Sequence, residues 1–342
     1  MKEHTFVIGN KKTTVKFLTK SELLKFDFKM VLASFDTNTR KLFPNNIPVE
    51  ELVLNPGEVT KNWDSIEAII SKAVDIGAAR DSLFVGVGGG VICDMAAFAG
   101  SIYMRGTEII LIPTTLLAMA DAALGGKTGI DFNAYKNMVG TFSPAKEVRI
   151  CIDLLNTLPE REYMSGLAEI IKHGLLRDTE ILTILNNQYE AILSRDPNVL
   201  TDLLERSITV KAWYVEQDAV ESGIRTHLNL GHTFGHALES VSNFKGFSHG
   251  EAVIWGIIKA LKTGVLMGVT DPLWLNEVLS LVEKYSYNLE TPENLNFSSI
   301  IDALKKDKKK KGSAVQFVLQ KNQGNTFLSP VDDSILLEVL KS

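Results

Sequence analysis

Three of the chain's six histidines, His232, His236 and His249, fall within 18 residues of one another. Gly231-His232-Thr233-Phe234-Gly235-His236 sets two imidazoles at i and i+4, on one face of a helix. Ser248-His249-Gly250-Glu251 opens the next predicted helix. Upstream, Gly166-Leu167-Ala168-Glu169-Ile170-Ile171-Lys172-His173 reads as a helix, with Glu169 and Lys172 on a shared face. Imidazoles beside a carboxylate suit zinc-like divalent ions, and three protein donors make a catalytic set. A lone histidine is more often structural, and Glu169 with Lys172 alone would read as a surface ion pair. The glycine-flanked cluster beside a carboxylate-bearing helix turns the balance toward a metalloenzyme. Spacing alone does not say which histidines bind.

A second group of residues suits anions. Gly88-Gly89-Gly90 follows an apolar run and precedes another, so its backbone N–H groups can approach a pyrophosphate at a helix start. It lacks the full dinucleotide fingerprint, because Val91 stands where a further glycine is required, and plain tight-turn glycines fit equally well. Asp36, past the first buried apolar run, suits a ribose hydroxyl, with an ordinary loop aspartate as the alternative. Gly125-Gly126-Lys127-Thr128-Gly129, followed by Lys136-Asn137, combines pliant backbone with two cations suited to phosphate oxygens, without the spacing of a P-loop.

These groups need elements to position them. The first 150 or so residues alternate short apolar runs with amphipathic stretches: strands at 30–35, 83–87 and 108–112, helices at 63–76 and 91–104. After about residue 155 the periodicity is helical, over 161–176, 179–193, 199–217, 252–267 and 272–285, and 314–319 reads as a late strand. The expected fold is an α/β nucleotide-binding, Rossmann-like domain at 1–155 followed by a mainly α-helical metal- and substrate-binding domain at 156–342.

A formal net charge of −5 gives no global field for nucleic acid or anionic lipid. Two cysteines, Cys93 and Cys151, make no disulfide framework, and the N-terminus lacks the apolar core of a signal peptide. The most apolar stretch, 84–104, is broken by glycines and Asp94 and is no membrane span. A cytoplasmic protein is expected.

Taken together, residues 88–94, Tyr103-Met104-Arg105-Gly106, Pro113-Thr114-Thr115-Leu116-Leu117, 125–128, Lys136-Asn137, Glu169, Leu228-Asn229-Leu230-Gly231-His232 and His249-Gly250-Glu251 resemble the 3-dehydroquinate synthase family, over about 30–325. The resemblance implies that Glu169, His232 and His249 bind zinc, cobalt or a similar ion, and that His236 serves the substrate phosphate instead. Lys127, Asn137 and Lys308 join it there, with Arg105 reaching across a homodimer interface. Arg225, Lys211 and Asn229 would face the substrate carboxylate, and Lys172 would act beside Glu169. For NAD the matching positions are Asp36, Glu58, Lys61, Gly89, Gly90, Asp94, Thr114, Thr115, Asp121, Lys136, Thr157 and Leu158.

The implied reaction converts 3-deoxy-D-arabino-heptulosonate 7-phosphate to 3-dehydroquinate and phosphate in the shikimate pathway, by oxidation, elimination, reduction and aldol closure. Cys93, Ala122-Ala123, Asp218-Ala219, His173 and the loop 130–135 depart from the family pattern without removing a proposed ligand. Competing readings are another sugar-phosphate cyclase, which would have no carboxylate to bind, an iron-type alcohol or polyol dehydrogenase, which needs no phosphate cluster, and a non-catalytic metal protein.

Overall fold

The computed structural model describes residues 2–133, 135–242, 246–291, 296–311 and 315–341, side chains of 305–311 excepted. The chain divides into two compact units, 1–163 with 195–220, and 164–194 with 221–342.

Unit 1 holds the strands β1 (Lys2–Ile8), β2 (Lys11–Phe17), β3 (Val31–Asp36), β4 (Glu50–Leu54), β5 (Leu83–Gly88), β6 (Glu108–Pro113), β7 (Lys127–Phe132), β8 (Tyr135–Phe142) and β9 (Glu147–Ile150). Seven form one sheet in the order β1-β2-β9-β6-β5-β3-β4, all neighbours parallel except the edge pair β1/β2. Every residue of β5 is buried, the continuous apolar run of a parallel strand covered on both faces. From β3 the chain adds β4 on one side, then returns to add β5, β6 and β9 on the other. The winding therefore reverses between β3 and β5, where the carboxyl ends of strands in such sheets receive ligands. Asp36 ends β3 and Gly88 ends β5.

Helix α1 (Trp63–Asp75) starts at Asn62, whose side chain accepts from the Ser65 N–H. Helix α2 (Gly90–Ile102) packs on β5 and β6. β7 and β8 form a separate antiparallel hairpin, with a register shift between Ile130 and Phe132.

The helices that follow are α3 (Glu160–Leu176), α4 (Thr179–Asn187), α5 (Tyr189–Leu193) and α6 (Pro197–Gln217). α6 groups with unit 1, although its periodicity is that of the helical region. The stretch 179–193, expected as one helix, breaks at Gln188. Tertiary donors take the carbonyls there: Tyr285 Oη donates to Leu185 O and Lys284 Nζ to Asn186 O.

Unit 2 continues with α7 (His232–Val241), α8 (His249–Leu266), α9 (Pro272–Lys284), α10 (Phe297–Lys311), the antiparallel pair β10 (Gln316–Gln320) and β11 (Thr326–Pro330), and α11 (Asp333–Lys341). The glycines around the histidines have a packing role. Gly231 has φ +82°, and a Cβ on Gly256 of α8 would lie 2.0 Å from its carbonyl oxygen, so α7 and α8 meet backbone to backbone. Gly250 abuts α3 in the same way, its N–H donating to Ser165 Oγ at 2.9 Å.

Candidate active site

In unit 2 the close approach of α3, α7 and α8 brings side chains from all three together. Ser165, which holds the start of α8, lies one helical turn before Glu169, so His249 at the first residue of α8 meets that carboxylate. A capping box fixes this terminus, with Ser248 and Glu251 satisfying each other's backbone N–H groups. Glu169 Oε1 lies 3.2 Å from His249 Nε2 and 3.6 Å from His232 Nε2. The ligand atoms of Glu169, His232 and His249 all lie within 4.8 Å of one another.

Glu169 is fully buried and ion-paired with Lys172, itself buried. Burial and the nearby Lys172 charge hold the His232 imidazole well below its ordinary range. Burial also opposes charge on His249, but the hydrogen bond to Glu169 and the facing Glu239 carboxylate outweigh it and raise that imidazole to about 9. The donor set fits a divalent ion: two imidazole nitrogens and one carboxylate oxygen face one another, and Nδ1 of His232 lies 3.3 Å from the Leu230 carbonyl, which leaves Nε2 bare.

His236 is exposed, its ring 5.3 Å from that of His232. It groups with Glu239 and His249 rather than with Glu169. Arg225 is buried in the turn Ile224–Asn229, and Asn229 Nδ2 donates to Glu221 Oε1 at 2.6 Å. Lys308 belongs to α10, but its side chain lies outside the described residues. Glu239, with 6% exposure, joins the group of His236 and His249 without belonging to any motif the sequence offers. Its spacing was the available signal, since it stands at i+7 from His232 on the same helical face.

In unit 1 the glycine turn leads into α2 at the switch point. No side chain caps α2 and no acidic residue occupies its first turn, which leaves its N–H groups and positive end to an anion. Asp36 Oδ1 accepts from the Asn38 and Thr39 N–H groups at 2.8 Å each, and Thr39 Oγ1 donates to Val87 O, tying the end of β3 to the end of β5. The Thr114 N–H donates to Gly88 O, and Thr115 Oγ1 accepts from the Ala118 N–H.

Lys61, 4% exposed, donates to Asp94 Oδ2 and to Asn137 Oδ1, both at 2.6 Å. Burial works against its charge, yet Asp94 holds its pKa above the ordinary lysine value. The Asn137 N–H donates to Asp131 Oδ1, and Asn137 sits at φ +52° on the bulged hairpin. Lys211 pairs with Asp121 Oδ1 at 2.9 Å. Glu58, Lys127, Lys136 and Thr157 are exposed, Leu158 follows the turn Ile152–Thr157, and Arg105 is exposed at φ +67°.

A parallel sheet of nucleotide-binding topology and a helical unit with a histidine–histidine–glutamate cluster define a two-unit α/β protein with a candidate divalent-metal centre. Sequence comparison sharpens that class. The chain belongs to the 3-dehydroquinate synthase family: the "3-dehydroquinate synthase N-terminal" profile matches residues 51–165 and the "3-dehydroquinate synthase C-terminal" profile residues 166–310. The 3-dehydroquinate synthase of Ruminiclostridium cellulolyticum (strain ATCC 35319 / DSM 5812 / JCM 6584 / H10) is 40% identical over 86% of this chain and 81% of its own.

Two solved structures share the fold. A 2-deoxy-scyllo-inosose synthase complexed with carbaglucose-6-phosphate, NAD+ and Co2+ superposes with a TM-score of 0.87 at 23% identity, covering 99% of both chains. ValA, the 2-epi-5-epi-valiolone synthase from Streptomyces hygroscopicus subsp. jinggangensis 5008 with NAD+ and Zn2+ bound, gives 0.86 at 24%, covering 96% of this chain and 95% of its own. No helix among the described residues is long and apolar enough to cross a membrane.

Proposed function

We propose that the protein converts 3-deoxy-D-arabino-heptulosonate 7-phosphate to 3-dehydroquinate and inorganic phosphate, in the shikimate pathway, with NAD and one divalent cation, zinc or cobalt. The observation that carries this reading is the convergence of His232 Nε2 and His249 Nε2 on Glu169 Oε1 in a chain of this family. When bound, the cation makes a substrate hydroxyl more acidic and the nicotinamide accepts and later returns a hydride.

In unit 2, Glu169, His232 and His249 are the assigned cation ligands, and Lys172 balances the buried Glu169 charge. Buried Arg225 offers a bidentate fork to the substrate carboxylate, with Asn229 as a further donor. His236 is assigned to the substrate phosphate, where its imidazole can donate.

In unit 1, Gly89 and Gly90 at the bare start of α2 take the NAD pyrophosphate. Asp36, Glu58, Lys61, Asp94, Thr114, Thr115, Asp121, Lys136, Thr157 and Leu158 complete that site. Lys127 and Asn137 supply phosphate donors, and Lys211, held by Asp121, a cation for the carboxylate. Lys308 and, from a partner copy in a homodimer, Arg105 add positive charge to the phosphate.

The test is turnover. Metal-loaded protein with catalytic NAD and the heptulosonate phosphate is expected to release phosphate and the cyclic product in equal amounts. Well-folded, metal-loaded protein without turnover would contradict the reading.

A further inference from the structure

We infer that Glu239 is a positioning residue for the metal centre, its carboxylate accepting the Nδ1 proton of His249 so that Nε2 is presented to the cation. The inference rests on the metal site proposed above.

Helix α7 carries His232, His236 and Glu239 at i, i+4 and i+7, one face of the helix. Burying a carboxylate is costly without a compensating donor or charge, and Glu239 is 6% exposed. Its Oε1 lies 3.6 Å from His249 Nδ1, while Nε2 of the same ring lies 3.2 Å from Glu169 Oε1. The imidazole thus spans two carboxylates, one inside the proposed ligand set and one behind it.

His232 is arranged in parallel. Its Nε2 faces the same Glu169 oxygen, and its Nδ1 faces the carbonyl of Leu230 at 3.3 Å. Both rings therefore turn Nε2 inward and Nδ1 toward an acceptor, but only His249 has a carboxylate there. An acceptor behind a ligand histidine fixes the tautomer and ring orientation, and a carboxylate also makes the facing nitrogen more basic. His249 has a specific need for that charge. It is the first residue of the 18-residue helix α8, whose positive end disfavours a nearby cation, and Glu239 supplies the compensating negative charge.

Zinc affinity and stoichiometry, measured at one pH by competition with a chromophoric chelator, test the inference in wild type, E239L, E239D, E239Q and H249A. Melting of each ion-free protein is followed in parallel. Wild type is expected to bind one zinc, and E239L to bind it about 10- to 100-fold more weakly. E239D keeps the charge but falls a methylene short of Nδ1, and is also expected to weaken binding. This variant carries the test if E239L does not fold. E239Q, whose amide oxygen still accepts from Nδ1–H, should stay nearer to wild type than either.

Wild-type affinity in E239L or E239D, even with a lowered melting temperature, would mean a merely structural role and overturn the inference. So would a second zinc in wild type that E239L loses, which would make Glu239 a direct ligand with His236 and His249. Wild-type affinity in H249A is a different failure, that of the metal site itself.

Discussion

The two candidate regions are built by different means. In unit 2, helix periodicity and glycine-permitted contact set the geometry: α7 carries His232, a capping box starts α8 at His249, and Gly250 locks that start to α3 four residues before Glu169. In unit 1, strand ends, turns and a bulged hairpin do the work. Lys61 reaches Asp94 on α2 and Asn137 on the hairpin, and Asn137 holds a left-handed backbone. One region is fixed by helices packed backbone to backbone, the other by side-chain polar contacts that tie a turn, a helix and a hairpin. Substitutions in the unit 2 cluster should therefore change what is bound, and substitutions in the unit 1 network should change the fold as well.

The largest expected effect is on metal content. His249→Ala should lose bound zinc, whereas His236→Ala should keep it and turn over poorly. Elemental analysis of purified protein checks the pair, and equal loss in both would erase the distinction between ligand and neighbour. Next comes the polar network. Asp94→Asn leaves Lys61 buried without its carboxylate and should destabilise unit 1 by about 2–3 kcal/mol, less than the ~3–5 kcal/mol of breaking a fully buried pair because Asp94 keeps 21% of its side chain exposed. Urea denaturation of nucleotide-free protein measures it, and unchanged stability would contradict the comparison.

The smallest effect is a pH dependence in the core of unit 2. Lys259 on α8 is 2% exposed and donates to Val339 O in α11. Burial, then Lys262, lowers its pKa to about 8, below the unfolded value of about 10.4. The unfolded chain therefore holds more protons between these values, and Lys259 adds stability as pH rises from about 8 toward 10. The stability of Lys259→Met relative to wild type should fall over that range. A pH-independent difference would remove Lys259 as the titrating group.

The contrast also explains what the sequence disclosed. Glycine-flanked histidines at i and i+4, with the Ser248/Glu251 start, disclosed a metal-type cluster because helical spacing is local information. The division of labour was not local: His232 and His236 share a face, and only the position of α3 brings Glu169 to one of them. Glu239 is not legible in the sequence because its role depends on α8 beginning against it. In unit 1 the strands at 30–35, 83–87 and 108–112 were legible as buried apolar runs. The hairpin 127–142 was not, because no residue of β8 is buried and its first four are all exposed, so it shows no apolar run. Nor could periodicity assign α6 to unit 1, since an amphipathic helix does not name the surface it covers.

The most direct test of the central claim is anomalous diffraction at the zinc edge from metal-loaded crystals. The expected result is a single peak within bonding distance of Glu169 Oε1, His232 Nε2 and His249 Nε2, with His236 and Glu239 outside it. A peak bound by His236, Glu239 and His249, with Glu169 left to Lys172, would contradict the account.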